Sequence, residues 1–334
     1  MRGAFGLRFA THPFFCQDHE KPKKVIPSPA VIEVLEEFDE DELDGPIASV
    51  MVFNANDASG AGGLAADCVA LASVGVHSMP VVTGAYVRDT SEIVDHFAFD
   101  DEAVTSQAST ILEDVPPDVF KIGFVGNPHN LSAIAALLSD WADVPVVTYM
   151  PDLAWWQDDQ IDQYLDACAE LMLPQTTVLV GNHSTLSRWL LPDWAAAQAP
   201  SALDIAAAAQ EYGVPYTLVT GISLPEQFID NVLCSGSAVL CSEKLERLEA
   251  TFVGAGDTLS ATLAALIAAG TELTEAVTEA LSYLDRSLEG GFRPGMGHVQ
   301  PDRLFWAHPE GEDEDFEASD EPFPFDISPH ETRH

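Results

Sequence analysis

The chain has 334 residues, 47% of them hydrophobic, enough for one large α/β domain or two small ones with a packed core, so disorder is excluded for most of it. Its 54 acidic and 14 basic residues give a formal net charge of -40, a surface that repels phosphate backbones and anionic lipids and argues against nucleic-acid and membrane partners. Cys16, Cys68, Cys168, Cys234 and Cys241 lie far apart and form no C-x-x-C pair, which speaks against a disulfide framework or zinc site and fits a reducing cytoplasm. Arg8, Thr11 and His12 interrupt the first apolar stretch, and none later reaches about 18 uninterrupted apolar residues, so neither a signal peptide nor a membrane helix is expected.

Residues 1–46 combine Pro13, Pro22, Pro27 and Pro29 with an acidic run at 36–42, and are expected to stay solvated apart from one short helix at most, near 30–38. From residue 47 onward short β-rich runs alternate with small-residue helical stretches. Strands are predicted at 48–53, 79–86, 119–124, 144–149, 177–180 and 216–220. Helices are predicted at 62–74, 104–112, 131–141, 159–172, 205–212, 257–269 and 273–288. Strands such as Val178-Leu179-Val180 are apolar on both faces, as they are when helices cover both sides of a parallel sheet. A hairpin, 228–233 with 237–241 around Ser235-Gly236, adds antiparallel strands near one edge. The predicted class is a three-layer α/β/α domain over 47–307 with a central, mostly parallel sheet. From residue 308 a second acidic, proline-bearing segment is expected to stay solvated.

The segment Val253-Gly254-Ala255-Gly256-Asp257-Thr258 carries the strongest chemical signal. Two glycines let successive N–H groups converge at a helix start, the geometry that binds a phosphate or a developing phosphoryl charge. Asp257 at that helix start could accept the proton of an attacking hydroxyl. A glycine turn with an N-capping aspartate has the same spacing, so the motif alone leaves both readings open.

Context narrows them. Gly254-Ala255-Gly256-Asp257-Thr258-Leu259 before an alanine-rich helix resembles the signature of ribokinase-like sugar, pyridoxal and pyrimidine kinases. Asp57-Ala58-Ser59-Gly60-Ala61-Gly62-Gly63, ending in Ala66-Asp67, resembles the D-P-S-G-G-A-G-x-Q-A-D opening of hydroxymethylpyrimidine and phosphomethylpyrimidine kinases of thiamine biosynthesis. Val82-Thr83-Gly84 through Arg88-Asp89-Thr90, Lys121-Ile122-Gly123, Leu173-Pro174-Gln175-Thr176-Thr177 and Phe292-Arg293-Pro294-Gly295-Met296-Gly297 follow in that family's order, over about 48–307. The resemblance implies a ribokinase-like fold, cytoplasmic location, a homodimer, and ATP and magnesium as cofactors. It implies that Asp57, Gly60, Asp67 and Arg88 bind the pyrimidine and that Asn182, Thr220 and Gly221 lie beside the nucleotide. Gly254, Ala255 and Gly256 would then form an anion hole with Asp257 as general base.

The chain departs from the pattern in four places. Asp257 stands where near relatives carry cysteine, and Arg88 where they carry glutamine, a permanent cation in place of a neutral amide. The family's D-P after an apolar strand reads Tyr149-Met150-Pro151-Asp152, and its N-x-x-E reads Asn182-His183-Ser184-Thr185, so two carboxylates on the metal side are missing and Asp152 is the candidate substitute. The resemblance implies a kinase acting on 4-amino-5-hydroxymethyl-2-methylpyrimidine or its monophosphate. A pyridoxal-type kinase and a weakly catalytic ligand-binding or regulatory module are the alternatives that these departures leave open.

Overall fold

The computed structural model describes residues 47–307. Expectations for residues 1–46 and 308–334 lie outside the described residues.

Nine strands form one sheet in the order β3-β2-β1-β4-β5-β6-β7-β8-β9. Strands β1 (Ser49–Asp57), β2 (His77–Arg88), β4 (Val119–Ile122), β5 (Val146–Met150), β6 (Val178–Asn182) and β7 (Tyr216–Ser223) run parallel, while β3 (Ile93–Ala98), β8 (Phe228–Ser235) and β9 (Val239–Glu246) are antiparallel additions at the two edges. Side chains on β1 alternate between two cores, as strand geometry requires. Val50 and Val52 pack with Leu64 and Leu71 of α1 (Gly63–Ser73), Leu259 and Leu263 of α7 (Ala255–Ala268) and Leu281 of α8 (Leu273–Glu289). Met51 and Phe53 belong to the core under α2 (Asp101–Leu112), α3 (Pro128–Leu138), α4 (Asp158–Ala167), α5 (His183–Leu190) and α6 (Ala202–Glu211). Sheet and helices thus form the three predicted layers. No helix among the described residues is long and apolar enough to cross a membrane.

Two elements escaped the sequence reading. Strand β3 alternates Ile93, Asp95 and Phe97 with Val94, His96 and Ala98, so neither face reads as apolar, and within the sheet it pairs with β2 alone. Helix α5 has eight residues and follows β6 directly, started by Asn182, whose side-chain oxygen accepts from Ser184 N at 3.0 Å. The predicted helix at 159–172 ends its regular turns at Ala167 and continues as a wider π turn, Cys168–Met172.

Candidate active site

Parallel strands place their carboxyl ends along one edge of the sheet, where ligands bind in open α/β folds. Asn54 and Asp57 of β1, Lys121 of β4, Tyr149 of β5, Asn182 of β6 and Thr220 of β7 all come to that edge. Over it lie two glycine loops, 57–63 before α1 and 253–256 before α7.

The first loop is built by Asp57. Its Oδ1 accepts from the Ser59 amide and hydroxyl at 2.8 and 2.7 Å, and its Oδ2 accepts from the Gly62 amide at 2.9 Å and pairs with Arg88 Nη1 at 3.2 Å. With all four acceptor positions filled and the side chain fully buried, Asp57 shapes the loop. Arg88 is the cation of that pair, and Gly60, at φ 72, leaves open space on the side where a Cβ would stand.

The second loop brings Gly254, at φ 84, to the start of α7. A Cβ there would run into the carbonyl oxygen of Ala61, so the close approach of the two loops requires glycine. Arg303 bolts the loops together. Its buried guanidinium donates from Nε to Thr258 Oγ1 at 2.9 Å, from Nη1 to Gly60 O at 3.3 Å and from Nη2 to Ala61 O. The first amides of α7, on Ala255, Gly256 and Asp257, have no partner within the helix and carry the positive end of its dipole.

Asp257 stands in this first turn with its side chain 17% exposed. Its Oδ2 accepts from Gly63 N at 3.0 Å; its Oδ1 accepts from Asn54 Nδ2 at 3.0 Å and lies 3.4 Å from Lys121 Nζ. Behind it Asp67 is fully buried, 2.7 and 2.8 Å from Lys121 Nζ and 2.7 Å from Asn54 Nδ2. Burial, partly opposed by the Lys121 charge, pushes the Asp67 carboxyl up to about 6. Asp67 has no exposed surface, and its oxygens are held by Lys121 and Asn54.

Tyr149 lies against the start of α7, since a Cβ on Gly256 would meet its hydroxyl. Burial raises the phenol well above its ordinary range, so it is a neutral donor at pH 7. Its ring centroid is 5.7 Å from Lys121 Nζ. The glycines at the start of α7 and Asp257 are thus brought together with three groups whose role the sequence did not disclose: Asn54, Lys121 and Arg303. One signal was present, a lone lysine inside the otherwise apolar strand Val119-Phe120-Lys121-Ile122.

Asn182 and Gly221 line a neighbouring cleft of about 270 Å³ with Ser223, Asn231, Phe252 and Leu288. Thr220 pairs opposite Asn182 across β6 and β7 and donates to Gly181 O at 3.3 Å. Trp155 and Trp156 stack on each other at 5.7 Å and pack edge-on to Phe124, and His183 Nε2 is 2.7 Å from Pro200 O.

A magnesium site is implied by resemblance, but the residues present do not fit one. Asp152 is 64% exposed, pairs with Arg188 Nη2 at 3.4 Å and caps Ala154 N at 3.0 Å. Thr185 and Tyr149 offer only neutral oxygens, and among the described residues no group of three His, Cys, Asp or Glu is placed to hold a metal ion.

A sequence model of the family described as phosphomethylpyrimidine kinase matches residues 57–302. The hydroxymethylpyrimidine/phosphomethylpyrimidine kinase of Streptomyces coelicolor is 24% identical over 261 residues, covering 77% of this chain and 94% of that protein. The enzyme of the same description from Rhizobium meliloti is 27% identical, over 75% of this chain and 96% of that protein. The ADP complex of Bacillus subtilis pyridoxal kinase has a TM-score of 0.70 at 20% identity, covering 79% of this chain and all of that one. Pyridoxal kinase from Staphylococcus aureus in complex with AMP-PCP and pyridoxal also scores 0.70, at 17% identity, over 79% of this chain and 96% of that one.

Proposed function

Because this chain belongs to the phosphomethylpyrimidine kinase family, we propose that it transfers the γ-phosphoryl group of ATP to the hydroxymethyl oxygen of 4-amino-5-hydroxymethyl-2-methylpyrimidine, with the monophosphate as a second acceptor. The observation that carries this reading is the placement of Asp257. Its carboxylate stands at the amide-bearing start of α7 and is tied to the first glycine loop through Gly63 N at 3.0 Å. The acceptor hydroxyl gives its proton to Asp257 while its oxygen bonds to the γ-phosphorus. The bond from that phosphorus to the β–γ bridging oxygen breaks, and ADP leaves. The amides of Ala255, Gly256 and Asp257 donate to the equatorial oxygens, where charge is stabilised by preorganised dipoles. The 270 Å³ cleft bearing Asn182 and Gly221 takes the nucleoside end. No step is routed through a metal ion.

The test is ADP release with ATP and a panel of hydroxymethylpyrimidine, its monophosphate, pyridoxal and sugar alcohols. Pyrimidine-dependent release is expected. Release only with pyridoxal would replace the substrate, and no ligand-dependent release at all would make the protein a binding module.

A further inference from the structure

Two carboxylates, Asp67 and Asp257, share one ammonium and one amide. Asn54 Nδ2 reaches Asp67 Oδ2 at 2.7 Å and Asp257 Oδ1 at 3.0 Å, which uses both of its hydrogens. Asn54 Oδ1 accepts from Ala55 N at 2.9 Å and Phe124 N at 3.1 Å, so the two backbone donors fix which way the amide points. Gly123 makes the room, because a Cβ there would strike the Asn54 amide. Lys121 completes the bridge, its Nζ 2.7 and 2.8 Å from the two oxygens of Asp67 and 3.4 Å from Asp257 Oδ1.

The two oxygens of Asp257 are therefore not equivalent. Oδ1 is held by Lys121 and Asn54. Oδ2 has one donor, Gly63 N, and packs against Gly62, where a Cβ would stand 2.9 Å away. Lys121 on β4 and Asp67 on α1 are the nearest charges to Asp257. Asp57 of β1, Tyr86 of β2, Tyr149 of β5 and Arg303 of the C-terminal segment surround them.

We propose that Lys121 is a positioning residue of the transfer site: bridging Asp67 to Asp257, and acting with Asn54, it holds Asp257 Oδ1 and leaves Oδ2 as the proton-accepting atom. This rests on the reading of Asp257 as the base.

The experiment measures kcat and KM for ADP release with ATP and the hydroxymethylpyrimidine, with folding followed by circular dichroism. In Lys121→Met, and separately in Asn54→Leu, kcat should fall by about tenfold or more while KM for the pyrimidine stays within about threefold of the parent, because misplacing a reacting group costs turnover and not binding. Lys121→Arg, which keeps the cation, should recover part of the loss. A folded Lys121→Met that keeps the parent's kcat overturns the proposal. Failure of the base reading looks different, because Asp257→Asn would then turn over like the parent.

Discussion

Replacing Arg303 by methionine removes the guanidinium that joins the two glycine loops while keeping most of the buried aliphatic volume. Three hydrogen bonds are lost, to Thr258 Oγ1, Gly60 O and Ala61 O. Their consequences differ. The Thr258 hydroxyl keeps its bond to Gly254 O at 2.8 Å, and Gly60 is partly exposed and can take a water. Ala61 is 1% exposed, so its carbonyl is left buried without this partner. One orphaned buried acceptor together with the lost charge-assisted bonds costs about 2–4 kcal/mol. For a domain of this size each kcal/mol lowers Tm by about 2–4 °C, so a drop of about 5–15 °C is expected by differential scanning calorimetry. Gly254 and Asp257 also lose their fixed distance from the first loop, so kcat in the ADP-release assay should fall by about tenfold or more even well below Tm, since small displacements of reacting groups are costly. A Tm within about 2 °C of the parent with unchanged kcat would refute both the estimate and the role given to Arg303.

Asp257→Asn should fold normally by circular dichroism and reduce turnover by roughly 100- to 10,000-fold, the range of proton-transfer catalysis. Arg88→Gln removes the 3.2 Å pair with Asp57 and restores a neutral amide; competition binding should show preference moving toward the hydroxymethylpyrimidine with ATP affinity unchanged. The carboxyl of Asp67, raised to about 6 in the folded chain, binds its proton there more tightly than in the unfolded chain. Between about pH 4 and pH 6 the folded state thus holds more protons, and stability falls as pH rises through that window, by up to about 3 kcal/mol. Urea unfolding from pH 4 to 7 should show this decline in the parent and a shallower one in Asp67→Asn. Equal slopes would mean that Lys121 fully offsets the burial of Asp67.

How much of this was legible depends on how local the information is. The parallel strands could be read because β1, β5 and β6 are apolar on both faces, which follows from burial under two helix layers and needs no knowledge of partners. Helix α7 could be read because its two glycines and Asp257 lie within four residues, and turn chemistry and helix start are local properties. Strand β3 could not, because in the sheet it pairs with a neighbour on one side only and its side chains do not alternate in polarity. Asp57 and Asp67 were rightly placed in the opening glycine segment, but whether a carboxylate faces a ligand or is consumed inside the fold depends on groups far away in sequence. Asp57 is answered by Arg88, and Asp67 by Lys121, 54 residues further on.

Sequence alone determined the layered α/β architecture, the order of its strands and helices apart from β3 and α5, and the glycine-rich start of α7, since period, burial pattern and turn residues act over a few positions. Only the tertiary structure decided which groups hold each oxygen of Asp257. That outcome depends on Asn54, Gly63 and Lys121 converging from three elements onto one carboxylate, with Arg303, 46 residues beyond Asp257, holding the two loops in register. Packing distances of this kind are set by the whole sheet and not by any segment of it.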